Sequence, residues 1–160
     1  MANLILHREW KEFLVCLNDN QVEYLVVGAL AVAHHAWPRL TNDLDIWVRP
    51  DVENAQRVIN ALRDFGFASL GFTASDFENP DAIIQLGVPP IRIDLITSIS
   101  GVATFDEAWL QRSEGDLGGV PTHYLGRSTL LQNKKSVGRG RDLGDIEALE
   151  GQNPSGSVES

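Results

Sequence analysis

A strand with two carboxylates on one face and apolar residues on the other leaves few arrangements for the sheet around it. The run Asp43-Leu44-Asp45-Ile46-Trp47-Val48, closed by Pro50, reads as such a strand. Residues two apart in a strand share a face, so Asp43 and Asp45 leave together while Leu44, Ile46 and Val48 enter the other side. Two unpaired carboxylates about 6 Å apart repel by roughly 3 kcal/mol at an effective dielectric near 20. A fold keeps such a pair where a cation or an arginine sits between them.

The rest of the chain supplies partners for that strand. His7 to Asn20 places Trp10, Phe13, Leu14 and Leu17 at helical spacing. Val22 to Val27 is a β-rich run stopped by Gly28, and Ala29 to Trp37 is apolar enough for a buried helix ended by Pro38. Asp51 caps a helix running to Phe65, with Val52, Ala55, Val58, Ile59 and Leu62 inward and Gly66 as its stop. Phe72 to Asp81 is polar and turn-rich. Ala82 to Val88 and Ile91 to Ile96 flank Pro89 and Pro90 and read as a hairpin whose second arm carries Arg92 and Asp94.

Thr104 to Arg112 reads as a helix, Gly115 to Gly119 as a loop and Val120 to Leu125 as a last strand. Ser128 is placed to cap a helix through Lys135, and Asp142 to Leu149 puts Leu143, Ile146 and Leu149 on one helical face. The polar tail, Gly151 to Ser160, is expected to be disordered. Strand-helix-strand and hairpin units together predict an α/β (α+β) domain over residues 1–150, a mixed β-sheet with helices packed on it.

Composition narrows the partners. A chain of 160 residues with 43% hydrophobic and 22% charged residues is neither wholly disordered nor collagen-like. Thirteen Lys and Arg against 22 Asp and Glu give a net charge of -9, which repels nucleic acid and anionic membrane overall. The cations are segregated: residues 127–141 hold Arg127, Lys134, Lys135, Arg139 and Arg141 and no acid, while the remainder of the chain carries -14. A single cysteine, Cys16, excludes an intrachain disulfide and a cysteine-based zinc site, and it fits a buried thiol in a reducing cytoplasm. No run of about 18 apolar residues occurs, so no membrane partner is expected.

Asp94 lies in an apolar strand and exposes a third carboxylate. Magnesium prefers carboxylate and phosphate oxygens and keeps several waters, so two or three Asp on a sheet surface suit it. Two such ions can clamp the attacking and leaving oxygens of a phosphoryl displacement. A lone D-x-D more often just solvates a strand face. Here Gly28 adds a turn between strand and helix where backbone N–H groups can approach a phosphate. Arg39 and Thr41, just ahead of the acid pair, are placed to contact phosphate as well. The adjacent His34 and His35 diverge by about 100° on a helix, so at least one reads as a packed or capping histidine rather than a metal ligand. The four tryptophans read as packing, with Trp37 near enough to Arg39 to line a pocket.

Gly28-Ala29, then Arg39-x-Thr41-x-Asp43-x-Asp45, then Arg92-Ile93-Asp94 resemble the nucleotidyltransferase superfamily of DNA polymerase beta type. The closing run Asn133-Lys134-Lys135, Gly138-Arg139, Asp142 and Asp145 resembles its minimal bacterial branch, related to abortive-infection type toxins. The resemblance spans residues 20–150. It implies a nucleotidyltransferase fold and magnesium-dependent transfer of a nucleoside monophosphate from a triphosphate, such as ATP, to a hydroxyl acceptor, with release of pyrophosphate. It implies Asp43, Asp45 and Asp94 as catalytic ligands of two Mg2+ ions. It implies Gly28, Ala29, Arg39, Thr41, Lys134, Lys135, Arg139 and Asp142 at the nucleotide, with either Lys134 or Lys135 facing it. The acceptor is an RNA end, a small molecule or a protein, and a homodimer or partner subunit could complete the pocket. Two positions depart from the pattern: Ala29 lacks the hydroxyl of a Gly-Ser turn, and Arg141 replaces a lysine. Both suit an alternative, a catalytically weak or inactive nucleotide- or partner-binding module of a toxin-antitoxin type system.

Overall fold

The computed structural model describes residues 7–38, 40–138 and 140–151, and six strands there form one sheet. They are β1 (Tyr24–Val27), β2 (Asp43–Val48), β3 (Ile83–Leu86), β4 (Arg92–Ile96), β5 (Ser113–Leu117) and β6 (Val120–Tyr124). Their order is β3-β4-β2-β1-β6-β5. The β2–β4 and β1–β6 pairs are parallel and the other three antiparallel, so the sheet is mixed. The helices are α1 (Arg8–Asp19), α2 (Gly28–His35), α3 (Val52–Phe65), α4 (Ala74–Glu78), α5 (Phe105–Leu110), α6 (Arg127–Val137) and α7 (Gly140–Gly151). Helix α3 packs against α1 and α4, while α2, α6 and α7 pack on one another. None is long and apolar enough to cross a membrane.

The best-marked elements form where local chemistry and burial agree. Trp10, Phe13, Leu14 and Leu17 of α1 are buried, as are Leu44, Ile46 and Val48 of β2. Asp51 accepts the Asn54 N–H at 2.7 Å and starts α3, and Gly66 ends it at φ 107°, a left-handed conformation that glycine adopts without strain. Inside that first turn, Asn54 is 1% exposed and fully engaged. It accepts from the Glu23 N–H at 2.7 Å and donates to the carbonyls of Glu23 and Arg49, each at 3.0 Å. One amide thus fastens the entry of β1 and the exit of β2 to α3.

Several local expectations are corrected. Residues 115–119 are not a loop: Ser113–Leu117 is β5, joined to β6 by Gly118 and Gly119, whose φ values of 58° and 92° suit a two-residue hairpin turn. Gly115 weakens the strand signal, but a Cβ there would lie 2.7 Å from the His34 ring, so the glycine makes room for a packed side chain. Within the turn-rich stretch, Thr73 and Asp76 form a capping box that starts α4. Ser128 does not cap α6: it lies inside the helix, and Gly126 is the cap because any side chain there would meet the Gln111 carbonyl oxygen at 2.1 Å. Val52 and Leu143, expected inward, are 68% and 60% exposed. Cys16 is half-buried rather than buried, with burial pushing its thiol pKa up. Residues 152–160 of the expected tail lie outside the described residues, and Gly151 ends α7.

Candidate active site

Sheet register brings the acids together. In the parallel β2–β4 pair, Asp45 stands opposite Asp94 and Asp43 opposite Arg92, while Val27 of β1 stands opposite Asp45 from the other side. One oxygen from each of Asp43, Asp45 and Asp94 lies within 4.8 Å of the others. The next residue after Val27 is Gly28, at φ 67°. A Cβ at this position would sit 2.3 Å from Asp45 Oδ2, so the missing side chain is what lets the start of α2 close onto the carboxylate.

Arg92 lies among the acids. Its Nη2 donates to Asp43 Oδ2 at 2.9 Å and to Asp94 Oδ2 at 3.1 Å. A pair of like charges on one strand face calls for such an arginine; of that pair it bonds Asp43, from the neighbouring strand, and its other bond goes to Asp94 on its own strand. It leaves the cluster incompletely satisfied: Asp94, 8% exposed, has a buried Oδ1 without a hydrogen-bond partner, and Arg92 Nε is buried in the same condition. Asp45 is pushed up to about 7, first by burial, then by the charges of Asp43 and Asp94, with Arg92 opposing the rise. A crowded, partly desolvated carboxylate cluster with an orphaned oxygen has the donor set and the electrostatic need that a hard divalent cation meets. The residues therefore fit magnesium.

The remaining predicted residues divide. Thr41 hydroxyl contacts Asp43 Oδ1 at 3.1 Å and orients that carboxylate. Ala29 is in the first turn of α2, beside Gly28. Lys134 is buried, with Nζ 3.2 Å from Asp145 Oδ2, whereas Lys135 is exposed and pairs with Glu150 Oε2 at 3.1 Å. Arg127 donates to the carbonyls of His35 and Leu149, each at 2.9 Å, and ties the ends of α2 and α7 together. These three cations of the basic stretch are thus engaged within the protein. Asp142 is in the first turn of α7, and Arg39 and Arg139 lie outside the described residues.

Both histidines of α2 pack. The His34 ring stacks on Tyr124 at 4.0 Å and its Nε2 meets Ser113 Oγ at 2.9 Å; His35 Nε2 donates to the Leu125 carbonyl at 2.7 Å. Burial lowers the pKa of each. Trp10 and Trp47 are buried, while Trp37 is 50% exposed. Arg92 and Asp145 were not singled out from sequence for the positions they occupy. For Arg92 a signal existed, since residue 92 shares a strand face with Asp94.

No protein-family model matches the chain, and no curated protein matches it. Among solved structures it resembles the crystal structure of a candidate nucleotidyltransferase from Thermotoga maritima, with a TM-score of 0.58 at 15% identity, covering 91% of this chain and 94% of the other. The two share a fold, the mixed sheet with helices packed on it.

Proposed function

We propose that the chain is a magnesium-dependent nucleotidyltransferase. The observation that carries this reading is the convergence of Asp43, Asp45 and Asp94 within 4.8 Å beside the Gly28 turn. The fold shared with the Thermotoga maritima protein supports it. Asp43, Asp45 and Asp94 would hold Mg2+, which would supply charge neutralisation to the reacting phosphate. The first N–H groups of α2, at Gly28 and Ala29, have no partner within the helix and face the triphosphate. Thr41 fixes Asp43, and Lys134 or Lys135 would serve the nucleotide only by releasing Asp145 or Glu150.

The acceptor oxygen bonds to the α-phosphorus, the bond from that phosphorus to the bridging oxygen breaks, and pyrophosphate leaves. The acceptor proton passes to Asp94. Positioning and charge compensation carry the catalysis, as phosphoryl transfer requires.

The test uses labelled triphosphate, magnesium and a panel of RNA ends, small hydroxyl compounds and proteins. Wild type should label an acceptor, and Asp43→Ala and Asp94→Ala should lose at least about a hundredfold in rate. Equal labelling by all three proteins would reject the assignment. Ala29, which offers no hydroxyl to phosphate, favours a second reading, a binding module without turnover. Metal-dependent triphosphate binding with no product on any acceptor would select it.

A further inference from the structure

Three carboxylates share a few ångströms, and one guanidinium nitrogen serves two of them. Arg92 Nη2 carries two hydrogens and gives one to Asp43 and one to Asp94, at 2.9 and 3.1 Å. Each acid therefore receives a single bond from the arginine rather than the two-pronged fork that makes arginine–carboxylate pairs strong. The Nε–H of the same group is buried without a hydrogen-bond partner, while the side chain as a whole is 29% exposed, so one edge of the guanidinium borders solvent. A divalent cation seated among these oxygens would face Arg92 at close range with the same sign of charge. The arginine must then turn to another anion.

We propose that Arg92 is a resident counter-cation: it balances Asp43 and Asp94 before metal arrives and is passed to the phosphate chain when they take the metal. Metal and triphosphate therefore bind as a cooperative pair, each weak without the other. This rests on the nucleotidyl-transfer reading above, and it makes Arg92 a positioning residue rather than a metal ligand. Coupling of this kind is reciprocal, and because Arg92 competes with the metal and assists the phosphate, a single substitution should move the two affinities in opposite directions.

Mn2+ is titrated against wild type, Arg92→Gln, Arg92→Lys and Asp45→Asn, first alone and then with a nonhydrolysable triphosphate. Without nucleotide, Arg92→Gln should bind Mn2+ about tenfold more tightly than wild type, and in saturating metal it should bind the analogue about tenfold more weakly. Arg92→Lys, which keeps the charge, should stay near wild type in both. A folded Arg92→Gln that binds Mn2+ no tighter than wild type overturns the proposal, as does a lysine variant that tightens as much as glutamine. Should the glutamine variant fail to fold, wild-type arginine side-chain NMR decides: the Arg92 Nε–H signal, assigned by its loss in Arg92→Lys, should shift when Mg2+ and the analogue are added. A fixed signal refutes the exchange. If Asp45→Asn binds Mn2+ as wild type does, the carboxylate site itself is wrong and both readings fall. If Asp45→Asn alone loses binding while Arg92→Gln is unchanged, only the arginine's role is rejected.

Discussion

Asp45 shows how a single side chain can oppose the stability of the fold that holds it. Its carboxyl is raised from the ordinary 3.8 to about 7, by burial first and by Asp43 and Asp94 next. A raised folded-state pKa means that the native protein binds the proton more tightly than the unfolded chain does. Its contribution is fully present below about pH 4 and is lost as pH rises toward 7. The metal-free protein should therefore lose on the order of 2–4 kcal/mol between those limits. Melting in a chelator at pH 5 and pH 8 checks this: the excess stability of Asp45→Asn over wild type should be clearly larger at the higher pH. An equal pH dependence in the two proteins would show that the strain lies elsewhere. The shared face of Asp43 and Asp45 was legible from the two-residue period alone. That Arg92 shares a face with Asp94 was legible in the same way, but its reach to Asp43 was not, because only the β2–β4 register sets the two opposite.

At the level of elements, legibility followed how local the signal was. Helix α3 carries its own start and stop in Asp51 and Gly66, and its bounds agree with the sequence reading. Strand β5 carries a glycine whose purpose is a ring on α2, residue His34, far away in the chain. No window of neighbouring residues contains that information. Gly126 is similar, since the Gln111 carbonyl that demands it belongs to the end of α5. The joint between α3 and the two central strands depends on Asn54, which satisfies three backbone groups. Asn54→Ala should cost about 3 kcal/mol, because it leaves buried donors and acceptors of Glu23 and Arg49 unpaired. Urea denaturation measures it, and a change under about 0.5 kcal/mol, the size expected of an ordinary surface substitution, would rule out this fastening role.

Across the whole molecule, charge is sorted as the sequence suggested, but the cations are used differently. Of the basic stretch, Arg127 binds helix-end carbonyls, Lys134 lies buried against Asp145 of α7, and Lys135 meets Glu150. The α6–α7 pair is thereby locked together and onto α2. Asp145→Ala should loosen it, lowering stability by about 1–3 kcal/mol and opening the α6–α7 junction to protease, since it breaks the buried Lys134–Asp145 ion pair. Unchanged proteolysis would show that apolar packing alone holds the pair. The acids come from two strands that are neighbours in space and far apart along the chain, β2 and β4, with the glycine turn leading out of β1. During synthesis, a polypeptide halted ahead of Arg92 already contains the turn and two of the acids, and β1–β2 pairing can set Asp45 beside that turn, but the third acid and the arginine are still missing. If the three acids hold a cation as proposed, the full ligand set assembles only once β4 has taken its place beside β2.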